Sequence, residues 1–462
     1  MIQEEAPTLP PGTEPWRNHW FPVAFLQDLA SGSVVRISIH DRDYVLWRTE
    51  EFVHALLDRC PHRSARLSDG SCRNGRLECA YHGWQFDPDG SCRHIPQLAS
   101  HREAPRGAHA QAVPTRIEQG MAWIWAGNTP PSAESRIPTL SELDAEDRHG
   151  VDFSVDLPYG EDQLLENILD YSHIHIVHDG VRGGGRRQLA GPLAFDVLKR
   201  GEAGFSATFG RPVGDGTNTC PGLARAQLEF CAPNLVHYRS IYEDDRLRAG
   251  LALYSLPLGR DRCRLLYRTY TNFPVWRDRI RPRFLEHAHQ CHLLEQDMAV
   301  IMGQAENLRR STVPPSALWT PLVGSDTPAL EFRKWLDAYR SNRPDVIGFA
   351  TRGPLADTSA TPVPLEALSR RRLHTSQCSS CSRALALLDV ARRWTPVLAL
   401  TSLAVAVVLR NAPMWCFFFA LLAPALHLLA MGAAWQCRRL TDLGPTLSRS
   451  ATLANNRLRS PS

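Results

Sequence analysis

Short hydrophobic segments with alternating polar positions, separated by turn residues, run through the first quarter of the chain. They predict strands at residues 34–39, 44–47 and 77–81, and Asp87-Pro88-Asp89-Gly90 is a turn sequence. Residues 1–15 are acidic and proline-rich, so we expect a disordered lead-in there. The pattern predicts a small all-β domain over residues 16–115.

A second domain is predicted over residues 150–355, and its elements follow a different order. A helical segment over 161–178 leads into a glycine-rich loop that contains Gly180, Gly183, Gly184 and Gly185. Extended segments follow, and then a long helix from about residue 275 to residue 308. The order helix, sheet, long helix indicates an α+β domain in which the sheet wraps against the last helix.

Two apolar segments, 394–409 and 412–435, lie near the end of the chain. The second reaches the length of about 20 residues that spans a bilayer, whereas the first is short. Arginines flank the pair, so both ends are expected on the same, positive side of a membrane. The alternative is a buried helical hairpin in a soluble domain. We expect a linker over 356–391 and a disordered tail over 440–462.

Composition narrows the class of protein only slightly. The 462 residues allow two or three domains, and the formal net charge of +4 is too small to argue for nucleic-acid binding. Of the twelve cysteines, four are better explained by two cysteine motifs than by disulfides and the rest are scattered, so a reducing compartment is expected. The chain begins with neither an apolar signal segment nor a transit peptide, so either it needs no leader or a leader is missing from this sequence.

The most specific motifs are Cys60-Pro61-His62 and Cys79-Ala80-Tyr81-His82. In a Rieske [2Fe–2S] cluster two thiolates hold one iron and two imidazoles hold the other, which suits one Cys and one His in each motif. A structural zinc site is the alternative, but zinc fingers usually pair Cys with Cys and His with His. We therefore predict that Cys60, His62, Cys79 and His82 hold a Rieske cluster.

A second metal site is indicated by His173 and His178. Five positions apart, they would point about 140° apart on an ideal helix, so they share a metal only if the helix is distorted or ends between them. Gly180 makes such an end plausible. A non-haem Fe(II) site takes two histidines and one carboxylate and leaves positions open for O₂ and substrate.

The carboxylate is predicted to be Asp297, which shares an apolar face of the long helix with Leu293, Val300 and Ile301. A buried salt bridge is the alternative for Asp297. Glu295 falls on the opposite side and is expected to be solvated. His175 faces away from the two predicted ligands. Asp170 either hydrogen-bonds a ligand imidazole or bridges the two metal sites.

A third motif, Cys378-Ser379-Ser380-Cys381, precedes the apolar segments. It is interpreted as a thiol switch reduced by a thioredoxin, and the alternative is an inert pair of thiols. A zinc site would need more ligands nearby, and His374 is the only obvious one.

Taken together, these motifs resemble those of the Rieske non-haem iron oxygenases, in particular the pheophorbide a oxygenase group of plants, algae and cyanobacteria. The resemblance covers most of the chain and includes Asp170-x2-His173-x4-His178. It also includes Trp20-Phe21-Pro22-Val23, Tyr81-His82-Gly83-Trp84-Gln85-Phe86, Ile95-Pro96-Gln97, Phe332-Arg333-Lys334-Trp335 and His374-x3-Cys378-x2-Cys381. Tyr171 departs from the group, in which proline commonly follows the aspartate.

The resemblance implies an N-terminal all-β Rieske domain, a helix-grip (START-like) catalytic domain and a C-terminal transmembrane helical hairpin. It implies a [2Fe–2S] cluster, a mononuclear non-haem Fe(II), reduced ferredoxin as electron donor, and O₂-dependent oxygenation of a chlorophyll-related tetrapyrrole. Asp170 of one subunit would contact His82 of its neighbour in a homotrimer. The expected location is a chloroplast envelope, thylakoid or cyanobacterial membrane, with the catalytic part on the stromal or cytoplasmic side.

Two other functions stay open from the sequence. One keeps the chemistry but takes another hydrophobic ring, such as a sterol, as substrate. The other is a non-catalytic redox sensor in a membrane assembly, against which the complete set of predicted iron ligands argues.

Overall fold

The computed structural model describes residues 15–99, 102–210, 223–242, 244, 246–274, 281–322, 324–340, 343, 346–352 and 368–444. The expected lead-in therefore lies outside the described residues except for Pro15. The expected tail lies outside them from residue 445 onward, and the expected linker up to residue 367. Residues 275–280, where the long helix was expected to start, also lie outside them.

The N-terminal domain consists of small antiparallel sheets, as predicted. Its strands are β1 (Trp20–Phe25), β2 (Val34–Ile39), β3 (Arg42–Arg48), β4 (Val53–Leu57), β5 (Ser71–Arg73), β6 (Arg76–Glu78), β7 (Gln85–Phe86), β8 (Cys92–His94), β9 (Ala112–Val113), β10 (Thr115–Glu118) and β11 (Met121–Trp125). They form three sheets, β2-β3-β4-β9, β5-β6-β7-β8 and β1-β11-β10.

Two-residue turns with both residues at positive φ close three of these hairpins. They are His40-Asp41, Asn74-Gly75 and Gln119-Gly120. Such turns match the right-handed twist of the flanking strands, so they set the register of each hairpin. The sheet β5-β6-β7-β8 carries the two predicted cluster motifs on loops next to its strands.

The second domain is built on one antiparallel sheet of seven strands in the order β12-β18-β17-β16-β15-β14-β13. The strands are β12 (Asp152–Leu157), β13 (Ala194–Gly201), β14 (Gly204–Gly210), β15 (Leu223–Cys231), β16 (Leu235–Tyr242), β17 (Arg248–Gly259) and β18 (Arg262–Thr271). The helices are α1 (Glu161–Leu169), α2 (Ile174–Val177), α3 (Arg283–Arg310) and α4 (Thr327–Tyr339).

Both faces of this sheet are covered. Helices α1, α3 and α4 pack on one face, in an apolar cluster that includes Phe153, Leu165 and Met298. On the other face, Tyr254 and Leu266 share one apolar core with residues of the N-terminal domain. The seven-stranded sheet and the long helix α3 confirm the predicted mixed architecture of the second domain.

Two long apolar helices, α5 (Ser379–Val408) and α6 (Pro413–Thr441), form a hairpin at the end of the described chain. Each is long and apolar enough to cross a membrane, and only 11% and 17% of their most apolar windows are buried within the protein. The exposed apolar flanks are those expected of helices surrounded by lipid rather than of a buried hairpin.

The base of the hairpin is docked on both other domains, so the expected linker differs from the structure from residue 368 onward. A π-helical turn, Arg371–Thr375, leads directly into α5. Asp28 of the N-terminal domain accepts the backbone N–H of Ser379 at 2.9 Å, at the start of α5. Thr375 Oγ1 donates to the carbonyl oxygen of Leu440 at the end of α6.

The expectation that Glu295 is solvated is wrong. Its side chain is buried because residues 368–444 cover that face of α3. Arg370 Nη2 donates to Glu295 Oε2 at 2.7 Å, and the backbone N–H of Gly444 donates to the same oxygen at 2.9 Å. A helix face that looks polar in the sequence is therefore an internal contact with the hairpin.

Candidate functional site

The two predicted cluster motifs adopt the same backbone geometry. In the first loop, Cys60 N–H donates to the carbonyl of Ala65 at 2.8 Å, and Ser64 N–H returns to the carbonyl of Cys60 at 2.9 Å. In the second, Cys79 N–H donates to Trp84 and Gly83 N–H returns to Cys79, both at 2.9 Å. Ser64 and Gly83 have φ values of 57° and 73°, so each loop turns back at a left-handed residue.

This geometry brings the four predicted cluster ligands together. The two cysteines are buried, whereas the two histidines are half-buried. The Nδ1 atoms of His62 and His82 face each other at 3.2 Å. Burial raises the pKa of the Cys60 thiol to about 11, and the neighbouring Cys79 adds to the shift. Two buried thiols and two exposed imidazole edges fit a Rieske cluster, which supplies the positive charge that would make the thiols ionise.

Aromatic side chains surround the histidine edge of this set. Trp84 stacks on His62 with ring centroids 4.6 Å apart. Tyr81 lies beside His82, and its side chain is 61% exposed. The rim of the predicted cluster is therefore open to a partner protein while the thiols are sealed inside.

The second predicted metal site forms around a helix of a single turn. Helix α2 covers only Ile174–Val177, with His173 immediately before it and His178 immediately after it. The helix thus ends between the two histidines, the condition that their spacing required. Gly184 packs so closely on His178 that an added Cβ would lie 2.4 Å from the Cβ of His178. The glycine-rich loop therefore holds the histidine turn by direct backbone contact.

The structure brings His173, His178 and Asp297 together, with one ligand atom of each within 4.8 Å of the others. Asp297 Oδ1 lies 3.2 Å from His178 Nε2 and 3.6 Å from His173 Nε2. Asp297 is buried against these two rings, and among the described residues no arginine is paired with it. Two imidazoles and one carboxylate form the ligand set of a mononuclear non-haem iron.

The polar atoms around this site also fit a metal. Asp297 Oδ1 and His173 Nδ1 are buried without a hydrogen-bond partner of good geometry among the described residues. Burial disfavours the charged form of His178, but the neighbouring carboxylate of Asp297 outweighs it and raises the pKa of His178. A bound cation would satisfy the carboxylate and both imidazoles together.

Gln296 is a functional residue that sequence reasoning missed. Its Oε1 lies 2.9 Å from His178 Nδ1, and an amide oxygen can only accept. This contact places the proton of His178 on Nδ1 and leaves the lone pair of Nε2 facing Asp297. A glutamine inside a helix carries no sequence signal of its own, so only its neighbour Asp297 could have drawn attention to it.

Asp170 follows helix α1 and lies next to the site. One carboxylate oxygen accepts the backbone N–H of Ser172 at 2.7 Å, and the other lies 3.5 Å from His173 Nδ1. The side chain is 31% exposed, so it contacts a predicted iron ligand and solvent at once. His175 is outside the predicted ligand set, and its Nδ1 accepts the backbone N–H of Arg186.

The third motif lies at a separate place. Cys378 and Cys381 are fully buried at the start of α5 rather than displayed on a linker. His374 is beside them, as the sequence suggested, and so is His287 of α3, which sequence reasoning missed.

Comparison with known proteins gives a family match in each of the two domains that carry the predicted iron sites. Residues 19–114 match the family model of the Rieske [2Fe-2S] domain, and residues 230–314 match that of pheophorbide a oxygenase. The solved structure of dicamba monooxygenase bound to dicamba has the same fold over 70% of this chain and 97% of its own, with a TM-score of 0.58 and 21% identity.

Two curated relatives align over most of their length. Protein TIC 55 of Arabidopsis thaliana is 30% identical over an alignment of 432 positions, which covers 86% of this chain and 78% of that protein. Pheophorbide a oxygenase of Oryza sativa subsp. japonica is 32% identical over an alignment of 426 positions, which covers 83% of this chain and 78% of that protein. The cofactors of a Rieske oxygenase are a Rieske [2Fe–2S] cluster and a mononuclear non-haem iron. The chain therefore belongs to the Rieske non-haem iron oxygenases, in the family that includes pheophorbide a oxygenase and Protein TIC 55.

Proposed function

We propose that this chain is a membrane-anchored oxygenase that inserts oxygen from O₂ into a chlorophyll-related tetrapyrrole. The observation that carries the proposal is the convergence of His173, His178 and Asp297 in a chain that also carries the two cluster loops. A pure redox sensor would have no need of a second iron site with open positions. When bound, the cluster supplies one-electron transfer and the mononuclear iron supplies activation of O₂.

In this proposal each side chain has a defined task. Cys60, His62, Cys79 and His82 hold the cluster, and His173, His178 and Asp297 hold the iron. Gln296 keeps the proton of His178 on Nδ1, so that Nε2 stays available as a ligand. Asp170, whose carboxylate lies 3.5 Å from His173 Nδ1, would accept the proton of that nitrogen when the metal is bound at the other.

The substrate class is inferred from the relatives and from the wall beside the iron site. Pheophorbide is a chlorophyll-derived tetrapyrrole, and the oxygenase named for it is among the relatives. Tyr171, next to the metal-binding turn, packs on Phe209 with ring centroids 5.0 Å apart, and Phe195 stacks on Phe209 at 5.0 Å. An aromatic wall suits a large planar ring, and the apolar hairpin keeps the enzyme where poorly soluble rings collect.

The electron donor is proposed to be reduced ferredoxin, which would bind at the exposed rim of the cluster. Tyr81, Arg63 and Arg66 are exposed around His62 and His82. A positive rim suits an acidic one-electron carrier, because complementary charge speeds encounter and orients the partner.

We further propose a homotrimer in which Asp170 reaches His82 of the neighbouring subunit. Its support is the family resemblance together with the partial exposure of the Asp170 side chain. We also propose that the first two domains cover residues 16–115 and 150–355. Strand β11 extends the first of them to Trp125.

The proposed location is a chloroplast membrane, because the relatives are named as chloroplastic. Arg392 and Arg393 lie on α5, and Arg438 and Arg439 lie on α6, near the docked base of the hairpin. This placement favours the catalytic part on the stromal, reducing side. A thioredoxin acting on Cys378 and Cys381 stays a prediction.

The proposal is tested by turnover of the iron-replete, anaerobically purified full chain with reduced ferredoxin. O₂ uptake and product mass are followed with pheophorbide, chlorophyllide, protochlorophyllide, an open-chain bilin and a sterol. We expect uptake that depends on one closed-ring tetrapyrrole and yields an oxygenated product. A sterol product would reject the substrate class. No turnover on any compound, with both metal sites loaded, would reject the oxygenase and favour the redox sensor.

A further inference from the structure

Four buried side chains from three separate elements converge below the membrane hairpin. They are His287 of α3, His374 of the π-helical turn, and Cys378 and Cys381 at the start of α5, and one ligand atom of each lies within 4.8 Å of all the others. All four are at most 1% exposed. We propose that they form a structural zinc site, distinct from the two iron sites, which fastens the hairpin to the catalytic domain.

The distances between the ligand atoms fit a tetrahedral metal. Zn–S bonds of about 2.3 Å and Zn–N bonds of about 2.0–2.1 Å give tetrahedral edges of roughly 3.3 Å between two nitrogens and roughly 3.5 Å between nitrogen and sulfur. Here His287 Nδ1 lies 3.2 Å from His374 Nε2. Cys378 Sγ and Cys381 Sγ lie 3.4 and 3.6 Å from His287 Nδ1, and Cys381 Sγ lies 3.2 Å from His374 Nε2.

The outer nitrogens of both histidines are held as metal-bound imidazoles usually are. His374 Nδ1 lies 2.6 Å from the carbonyl oxygen of Ser154, and His287 Nε2 lies 3.0 Å from that of Asp152. Carbonyl oxygens only accept, so the Ser154 carbonyl places the proton of His374 on Nδ1 and leaves the lone pair of Nε2 facing the thiols. At His287 the Asp152 carbonyl favours the same arrangement, whereas Arg283 Nε donates towards the same Nε2 at 3.2 Å and opposes it.

Strand β12 explains why both carbonyls are available. It is an edge strand, paired only with β18, so alternate carbonyls on its free side have no strand partner. Phe153 lies between the two residues whose carbonyls accept, and its ring packs on the imidazoles of His287 and His374 with centroids 5.2 and 4.7 Å away. The free edge of β12 thus positions both histidines through two backbone carbonyls and one aromatic ring.

Charge balance favours a divalent cation here. Binding exchanges the two thiol protons for one Zn²⁺, so two thiolates, two neutral imidazoles and the ion sum to zero inside a dry site. Four protein ligands leave no open position, which marks a structural rather than a catalytic zinc.

The site would couple the membrane anchor to the oxygenase. His287 lies on the same helix as Asp297, and both cysteines lie at the foot of α5. The apolar cluster at this contact is small. Its buried members are Ala288, Cys378, Cys381 and Leu440, and the partly buried side chains packed against them are Phe284, Ala384, Leu385 and Leu388. A bound zinc would crosslink helix α3 to the start of α5 and so add to the stability of a contact whose apolar core is small.

The direct test is metal analysis with zinc K-edge X-ray absorption on the full chain, purified in detergent from cells supplied with both iron and zinc. We expect about one zinc per chain, with a shell of two sulfurs and two nitrogens. A Cys378–Cys381 disulfide without zinc would overturn the proposal in favour of a thiol switch. Zinc with only nitrogen and oxygen neighbours would also overturn it, since that shell belongs to His173, His178 and Asp297.

Variants make the assignment specific. Cys378→Ser with Cys381→Ser is expected to abolish the zinc while the electron paramagnetic resonance signal of the Rieske cluster is unchanged, and Cys416→Ser in the hairpin is the matched control. If the double variant does not fold, His374→Cys keeps four ligands and is expected to change the shell to three sulfurs and one nitrogen. An unchanged shell in His374→Cys would refute the ligand set. These readouts do not depend on oxygenase activity.

Discussion

At the scale of single residues, the iron site depends on side chains that are distant in the sequence. The cluster ligands could be predicted because two short motifs in one domain carry all four. His173 and His178 could be paired because they share one turn. Gln296 could not be predicted, since it is 118 positions from the histidine that it contacts and forms part of no motif. His287 was missed for the same reason, although His374 was noticed beside the cysteines.

Replacing Gln296 with leucine is expected to lower the affinity for the mononuclear iron by about 10- to 100-fold, because outer partners of ligand histidines contribute that much. His178 would lose the acceptor that keeps its proton on Nδ1. Iron content after dialysis against a weak chelator measures the effect, with the Rieske signal as an internal reference. Gln290→Leu, on the same helix but in contact with Glu286, is the control. Equal iron loss in both variants would remove the special role of Gln296.

A second residue-scale prediction concerns pH and the buried Glu161. Burial raises its pKa to about 7, even though Ser255 Oγ donates to it at 2.8 Å. The folded state then holds the proton more tightly than the unfolded state, so stability falls as pH rises from about 4.5 to about 7. Above pH 7, ionisation of the buried Glu161 is expected to lower the free energy of unfolding by about 3 kcal/mol relative to its value below pH 4.5.

Glu161→Gln keeps an acceptor for Ser255 and removes the ionisable group. The variant is expected to show a flatter dependence of melting temperature on pH between 5 and 7.5 than the native chain in the same detergent. Parallel curves for the two proteins would show that Glu161 is ionised throughout that range in the folded state.

At the scale of elements, some features follow from local sequence signals and others depend on tertiary contacts. Gly180, with φ of 72°, lies just after the histidine turn, where the sequence made a helix end plausible. The single helical segment predicted over 161–178 is wrong, because the chain forms two helices, Glu161–Leu169 and Ile174–Val177. The two-residue turns were equally local, and the strands they join follow the alternating pattern. The expected start of the long helix, at about residue 275, lies outside the described residues, and the described helix begins at Arg283. What no local pattern could indicate is that Gly184 and Gly185 pack on the histidine turn.

Gly184→Ala tests that packing. The new methyl group would lie 2.4 Å from the Cβ of His178 and 2.5 Å from its carbonyl oxygen, so the histidine turn must move. We expect loss of most of the mononuclear iron and of O₂ uptake, with the Rieske cluster retained. Gly191→Ala, where nothing lies within 4 Å of the added carbon, is expected to behave like the native chain. Normal iron content in Gly184→Ala would show that the loop does not position His178.

At the scale of the whole molecule, the N-terminal domain, the catalytic sheet and the hairpin form one connected structure. The order of domains and the presence of two apolar helices could be predicted because each has its own hydrophobic pattern. The docking of the hairpin could not be predicted, because it depends on Asp28, Glu295 and Arg370. In the sequence these residues are indistinguishable from ordinary surface charges. The expected linker, from residue 368 onward, is instead part of this contact.

The proposed oxygenase uses its cluster and its iron triad together to place oxygen from O₂ in a product. The most direct measurement is product mass after turnover under ¹⁸O₂ with reduced ferredoxin, for the native chain, Asp297→Ala and the exposed control Glu306→Ala. We predict labelled product from the native chain and the control, and background levels from Asp297→Ala despite an intact Rieske signal. Undiminished labelled product from Asp297→Ala, or unlabelled product from the native chain, would contradict the account.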